Sequence, residues 1–119
     1  MKQTLKFLLP IVGAALVWVT ATAADRQTRE TMEAKLLNSK DLLEGIVTEN
    51  FKQVADSAEK LHALSQSSGW SIRQSTEYQR YTREFARQAK ALQTAADARN
   101  IDGATLAYFQ MTMTCVNCH

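Results

Sequence analysis

The only two cysteines of the chain lie at its C-terminal end, in the five-residue run CVNCH. Cys115 and Cys118 are separated by two residues, and His119 follows directly. Two thiols and an imidazole at this spacing can form a redox-active dithiol, part of a metal-ion site, or the C-x-x-C-H motif that attaches haem covalently. The rest of the sequence has to decide between these three chemistries.

Haem attachment explains the spacing because residues i and i+3 of a helix lie on one surface. Cys115 and Cys118 can there form thioether bonds to the two vinyl groups of one porphyrin. His119 can then present an imidazole nitrogen to the iron as the proximal ligand. We therefore expect one covalently bound haem c per chain.

Three alternatives compete with haem. A thioredoxin-like cysteine pair normally begins a helix that follows a strand, whereas this pair ends a helical segment. A zinc site needs four ligands, and only the distant His62 remains to complete the set. His62 itself, on the rim of a predicted helix, is more typical of a surface or structural histidine. Chance occurrence of the pair on a buried helix is the third alternative.

The N-terminus has the pattern of a secretory signal peptide. Lys2 and Lys6 are its basic region, an apolar stretch covers residues 5–19, and the small residues ATA form a cleavage site. We expect residues 1–23 to be removed and residues 24–119 to form one domain, exported to the periplasm. The apolar stretch is short for a membrane span, and an uncleaved N-terminal anchor is the alternative.

Charge and motifs exclude several functions. The chain has 14 basic and 12 acidic residues, and because Lys2 and Lys6 belong to the signal peptide, the expected mature chain is formally neutral. Its basic residues are scattered, which does not indicate binding to nucleic acid. The sequence shows no nucleophile–base pair, carboxylate dyad or phosphate-binding loop. We therefore do not expect the protein to be an enzyme.

After Ala24 the sequence has no proline, and its apolar residues recur at helical spacing. The longest break, Ser65 to Ser75, is rich in serine, and its Trp70 is expected to close the bundle. Short connections elsewhere favour antiparallel neighbours and hence an all-α, up-down-up-down four-helix bundle with the haem motif at its C-terminal end. The predicted helices cover residues 26–47, 51–67, 73–99 and 103–118. Their expected start signals are Asn50 for the second, a capping box over Ser71–Gln74 for the third, and Asp102 for the fourth.

The first and fourth helices carry the most informative apolar patterns. A helix that is apolar over most of its circumference must be buried on two sides, so we expect the bundle to cover one side of the fourth helix and a porphyrin the other. In the first helix the predicted buried stripe is Met32, Leu36, Leu43 and Val47, widened by Leu42 and Ile46. In the fourth helix one face carries Tyr108, Met111, Cys115, Cys118 and His119, the second apolar face carries Leu106, Phe109, Met113 and Val116, and a polar strip carries Gln110, Thr114 and Asn117.

An exported four-helix bundle that ends in C-x-x-C-H resembles the class II c-type cytochromes, the family of cytochrome c′ and cytochrome c-556. The resemblance rests mainly on Cys115, Cys118 and His119. It implies a covalent haem between the helices, with the first helix crossing its distal face. In c-556-like members a methionine of that helix binds the iron. In c′-like members an apolar side chain leaves the iron five-coordinate and able to bind small gases.

The sixth iron ligand therefore separates two functions. In an alternating bundle Met32 lies beside the end of the fourth helix, so it is the candidate distal ligand, although core packing explains it equally well. The resemblance also implies a haem propionate contact for Arg29. We expect an exported monohaem one-electron carrier that meets redox partner proteins. The alternatives are a five-coordinate protein binding nitric oxide or carbon monoxide, and a haem-free helical adaptor whose cysteines bind metal.

The resemblance also implies a possible self-association. Members of the c′ type often form homodimers through their first two helices. The charged residues of that region either lie at such a surface or face water, and the sequence does not decide between the two. They are Lys40, Asp41, Glu44 and Lys52.

Overall fold

A computed structural model of the chain describes the backbone of residues 4–71 and 73–119 and the side chains of residues 22–71 and 73–119. The described residues form four α-helices and no strand, which confirms the predicted fold class. The helices are α1 (Thr4–Val47), α2 (Phe51–Ser65), α3 (Thr76–Asp97) and α4 (Ile101–Cys118). Nearly all of the predicted signal peptide lies outside the described side chains, so its cleavage stays a prediction. Within the described part of the chain, no helix is long and apolar enough to cross a membrane.

The α1–α2 and α3–α4 connections are built in the same way. Glu49 and Arg99 adopt left-handed backbone conformations, with φ of 53° and 52°. In each case the following N–H donates to a carbonyl five residues earlier, which closes the preceding helix in a Schellman-type turn. That next residue is Asn50 or Asn100, whose side chain accepts an N–H of the new helix. The two tight turns make α1 antiparallel to α2, and α3 antiparallel to α4.

The expected start signals are partly wrong. Asn50 caps α2 as predicted, but Asn100 rather than Asp102 caps α4. The third helix starts at Thr76, with Ser75 as its cap, because Gln74 donates to the backbone carbonyl of Ser71 instead of closing a capping box. α1 begins at Thr4 rather than residue 26, since the predicted boundary assumed removal of the signal peptide.

The core lies between α2, α3 and the inner sides of α1 and α4. α2 packs on α3, α3 on α4 and α1 on α2, whereas α1 and α4 touch at few points. Trp70, from the loop between α2 and α3, is 3% exposed and closes the core as predicted. The largest fully buried side chains are Phe85, Leu42, Leu61, Leu92, Met111 and Val54.

The predicted stripe of α1 is largely wrong. Leu36, Leu43 and Val47 are 57%, 44% and 71% exposed, and the two residues expected only to widen the stripe, Leu42 and Ile46, are the buried ones. The reason is that α1 is covered by α2 but scarcely by α4. Its side toward α4 therefore borders a cleft rather than a packed interface.

α4 differs from expectation in a similar way. Its buried residues are Ala104, Ala107, Met111 and Thr114. Thr114 was assigned to the polar strip, but it is buried because its hydroxyl donates to the carbonyl of Gln110 and so needs no water. The second apolar face of α4 is exposed. Its residues are Leu106, Phe109, Met113 and Val116.

Candidate functional site

The cleft between α1 and α4 is where the CVNCH motif lies. Cys115 and Cys118 occupy the last turn of α4, and His119 follows as its C-cap, with its N–H donating to the carbonyl of Cys115 at 3.1 Å. Both cysteines are half-buried and free of disulfide bonds, and His119 is exposed. All three residues thus end the helix at the open edge of the bundle.

Two adjoining cavities make up the cleft, and Met32, Lys35 and His119 line both. The first has a volume of about 390 Å³ and runs along α1 and α4. Its remaining lining residues are Leu36, Ser39, Tyr108, Met111, Thr112 and Cys115. The second has a volume of about 270 Å³ and lies toward the α2–α3 loop. Its remaining lining residues are Thr28, Trp70, Arg73, Tyr78 and Cys118.

Each cysteine has a tyrosine beside it. The pKa of Tyr78 is raised by burial and then by negative charge at Cys118, while Arg73 opposes the shift. The pKa of Tyr108 is likewise raised by burial, with a smaller contribution from Cys115 that a hydrogen bond with Thr112 opposes. Cys118 lines the second cavity together with Tyr78, and Cys115 lines the first together with Tyr108.

A buried cation lies in the wall of the cleft. Lys35 is 7% exposed, and its Nζ lies 4.6 Å from the ring centroid of Trp70 and 4.9 Å from that of Phe85. The two rings are themselves in contact, with centroids 4.8 Å apart and a tilt of 42°. The aromatic faces stabilise the ammonium group by cation–π attraction.

Hydrogen bonds fix the aromatic side of this arrangement. The indole N–H of Trp70 donates to the hydroxyl of Thr82 at 3.0 Å. The hydroxyl of Tyr78 donates to the backbone carbonyl of Trp70, and that of Thr82 donates to the carbonyl of Tyr78. The α2–α3 loop is thereby tied to the first turns of α3, so the wall of the second cavity is preorganised.

Of the predicted site residues, the structure brings Cys115, Cys118, His119 and Met32 to one cleft. Arg29 is exposed and lines neither cavity, so its contact with a propionate stays a prediction. Lys35 and Arg73 are the cations that do line the cleft. The sequence carries a signal for Lys35, which follows Met32 by three residues and so shares its helix face.

His62 lies elsewhere in the bundle. It lines a separate open depression with Arg87, Lys90 and Asn100. Among the residues that the structure describes, no three His, Cys, Asp or Glu side chains are grouped so that they could hold a metal ion. The structure therefore adds nothing to the zinc alternative.

The last turn of a helix is also an unusual place for a redox dithiol. Thioredoxin-like pairs gain reactivity at helix N-termini, where the helix dipole stabilises the thiolate. At the C-terminal end of α4 the dipole destabilises a thiolate instead.

No protein-family model, no curated protein and no solved structure matches this chain.

Proposed function

We propose that the cleft between α1 and α4 holds one covalently attached haem c and that the chain is an exported one-electron carrier. The observation that carries the proposal is that Met32 and His119 line the same cavities as the two cysteines. A thioether and an imidazole on opposite helices are the ligand pair that gives iron a raised reduction potential.

The residues of the cleft fit this group. A cavity of about 390 Å³ lies within the usual range for cofactor sites, and it is bounded by apolar and aromatic side chains such as Leu36, Tyr108 and Met111. The cations Lys35 and Arg73 line the same cleft. A porphyrin needs this combination, because its ring is apolar and its two propionates are negative.

Each residue of the site has a distinct task in the proposal. Cys115 and Cys118 anchor the porphyrin through thioether bonds, and His119 ligates the iron from the end of α4. Met32 ligates or shields the opposite side, and Lys35 supplies positive charge inside the cleft. The cofactor supplies the one-electron chemistry, while the protein sets ligation, dielectric and orientation. Redox partner proteins would approach the open edge of the cleft, where His119 is exposed.

Export is part of the same proposal. The N-terminal pattern KQTLK followed by an apolar stretch and a small-residue site is that of a secretory signal. A periplasmic location agrees with Cys115 and Cys118 as thioether anchors, because haem c is attached outside the cytoplasm. An uncleaved N-terminal segment that anchors the protein to the membrane is the alternative.

The second candidate is a gas-binding protein, and the wall opposite His119 favours it. Besides Met32, that wall offers Leu36, an apolar side chain without a donor atom. If Met32 packs and does not ligate, the apolar wall leaves one iron position for nitric oxide or carbon monoxide. The two candidates share the haem and differ only in the sixth ligand.

The test of the shared proposal is covalent haem attachment. The full chain, with its own N-terminus, is expressed in a bacterium that matures c-type cytochromes, and periplasm and membrane are assayed by haem staining after denaturing electrophoresis. We expect stained protein from the unchanged chain and none from Cys115→Ser/Cys118→Ser. The single variants should shift the ferrous pyridine spectrum because one thioether is lost.

The matched control is Val116→Ala, which changes an exposed residue between the two cysteines. It should retain the stain. An unstained wild-type chain, in cells that attach haem to another C-x-x-C-H protein, would contradict the proposal. The haem-free alternative, in which the cysteines bind a metal ion, would then be favoured.

A further inference from the structure

The cleft between α1 and α4 carries positive side chains and no negative ones. Lys35, Arg73 and His119 line its two cavities, and none of the described residues that line them is an Asp or Glu. A cleft lined by one sign of charge raises the local concentration of ligands of the opposite sign. The electrostatics of the cleft therefore favour anionic ligands.

The cation of Lys35 is buried without being neutralised. The side chain is only 7% exposed, and it takes no part in the two ion pairs found among the described residues. The partners of its ammonium group are the rings of Trp70 and Phe85. Aromatic rings attract a cation but carry no net charge, and a buried charge is costly unless an opposite charge accompanies it. An anion in the cleft would supply that opposite charge.

Lys35 lies on the side of the cleft that faces His119. It follows Met32 by three residues and so shares its helix face, and both residues line both cavities together with His119. In the proposed haem site, His119 ligates the iron from α4, which leaves the sixth ligand to the side of α1. Hydrogen-bond donors on that side decide which molecules a haem iron binds.

The aromatic wall holds the ammonium group in place. Nζ of Lys35 lies 4.6 Å from the ring centroid of Trp70 and 4.9 Å from that of Phe85. Trp70 is itself fixed, because its indole N–H donates to the hydroxyl of Thr82 at 3.0 Å. A donor that is positioned before the ligand arrives needs no reorganisation when the ligand binds.

We propose that Lys35 makes the iron position opposite His119 selective for small inorganic anions over neutral gases. This inference rests on the proposed haem site and names the ligand class of that site. A charge-assisted hydrogen bond is roughly twice as strong as a neutral one, so an anion gains from the ammonium group what carbon monoxide does not. The family resemblance implies an apolar side chain on this side of the iron, whereas this chain places a cation there.

The test compares an anionic and a neutral ligand in the haem-loaded full chain. Both proteins carry Met32→Leu, which leaves the sixth position free whether or not Met32 is a ligand, and one also carries Lys35→Met. Absorption titrations give the affinity of the ferric protein for azide and of the ferrous protein for carbon monoxide. We expect Lys35→Met to weaken azide binding about tenfold or more, because the anion loses a charged donor, and to leave carbon monoxide binding unchanged.

The matched control is Lys40→Met in the same Met32→Leu protein. Lys40 is an exposed residue of α1 that lines neither cavity of the cleft, and its substitution removes the same charge. It should leave both affinities unchanged. Circular dichroism verifies that each variant is folded.

Two results in the haem-loaded protein would overturn the inference alone. An azide affinity that does not depend on Lys35 would mean that its ammonium group serves another partner, such as a haem propionate. An equal loss of azide and carbon monoxide binding would mean that Lys35 only shapes the cleft. A chain without attached haem, identified by the absence of haem staining, would overturn the proposed function and this inference together.

Discussion

Met32 of α1 and His119 at the end of α4 border both cavities of the cleft, so the two side chains face one space from opposite helices. This relationship follows from the up-down topology, which places the part of α1 around Met32 beside the end of α4. The identity of the sixth iron ligand can therefore be tested by experiment, because one substitution at Met32 removes the sulfur atom and leaves α1 intact.

Met32→Leu tests that question because it keeps the side-chain volume and removes the donor atom. Met–Leu exchanges usually cost less than about 1.5 kcal/mol of stability. In the haem-loaded protein we expect the ferrous absorption spectrum to change from low-spin to high-spin and to become sensitive to carbon monoxide. The reduction potential should fall, because thioether ligation raises it.

The matched control is Leu36→Ala, which enlarges the same cavity without touching a sulfur. It should leave the low-spin spectrum unchanged. If the unchanged protein is already high-spin and binds carbon monoxide, Met32 is a packing residue and the gas-binding candidate replaces the electron carrier.

Lys35→Met tests the buried cation. In the haem-free chain we expect little loss of stability or a gain, because the desolvation of the ammonium group is removed while the aliphatic contacts to Trp70 and Phe85 remain. In the loaded protein the potential should fall, since a nearby positive charge disfavours the ferric state. For a unit charge in the wall of the cleft, at an effective dielectric constant of about 20, the contribution is on the order of 1 kcal/mol, a few tens of millivolts.

Potentiometric titration and urea unfolding measure the two effects. Lys60→Met is the control, because Lys60 is exposed on α2 and lines neither cavity of the cleft. A potential that changes equally in both variants would mean that net charge, and not the position of Lys35, sets the effect.

The sequence predicts the number of helices, their order and the position of Cys115 and Cys118 at the end of the last helix, because periodicity and turn residues are local signals. It does not predict which side of α1 is buried. Leu36 and Lys35 are neighbours in the sequence, yet the apolar residue is exposed and the charged one is buried. The cause lies in distant residues, Trp70 and Phe85, whose rings form a site for the ammonium group. The spacing from Met32 places Lys35 on the same helix face, but no pattern within α1 indicates that the ammonium group is buried.

Part of the candidate site cannot be predicted from the sequence either. Cys115, Cys118, His119 and Met32 carry recognisable chemistry at recognisable positions. Arg73 lies in the α2–α3 loop, and its place in the wall of the second cavity depends on how that loop docks. Trp70 could be assigned to the core because a large aromatic residue in a serine-rich loop needs burial, but its contact with Lys35 could not.

Gly69→Ala tests the docking of the α2–α3 loop on α1. A Cβ at Gly69 would clash with the hydroxyl of Thr31, which donates to the carbonyl of Gln27 at 2.9 Å. The hydroxyl must move and lose that bond, so we expect a loss of about 1–3 kcal/mol in the free energy of unfolding. Tryptophan fluorescence should shift too, because Trp70 follows directly.

A double-mutant cycle with Thr31→Ala isolates the clash. The loss in the free energy of unfolding of the double variant should be smaller than the sum of the two single losses, by roughly 0.5 kcal/mol or more. Ser68→Ala is the control, since it removes only an exposed hydrogen bond with Gln27. Strict additivity in the cycle would show that Gly69 is needed for another reason.

Glu84 links an exposed ion pair to a buried amide. Its carboxylate accepts bonds from Arg87 and, at 2.7 Å, from the Nε2 of Gln88, which is only 4% exposed. These bonds, from Arg87 first and then Gln88, hold the pKa of Glu84 below its ordinary 4.5, with burial opposing. Because the folded pKa is the lower one, the stabilisation is present in full above about pH 4.5 and is lost as the pH falls through the folded value.

Glu84→Ala should therefore destabilise the bundle at neutral pH by roughly 1 kcal/mol, mainly because the amide of Gln88 loses its acceptor. Glu84→Gln keeps an acceptor oxygen and should cost less, and it should also reduce the loss of stability on acidification. Urea unfolding at neutral pH and below pH 4.5 measures both effects, with Glu59→Gln, an exposed carboxylate of α2, as the control. Equal acid sensitivity in Glu84→Gln and the unchanged chain would show that other carboxylates govern the acid transition.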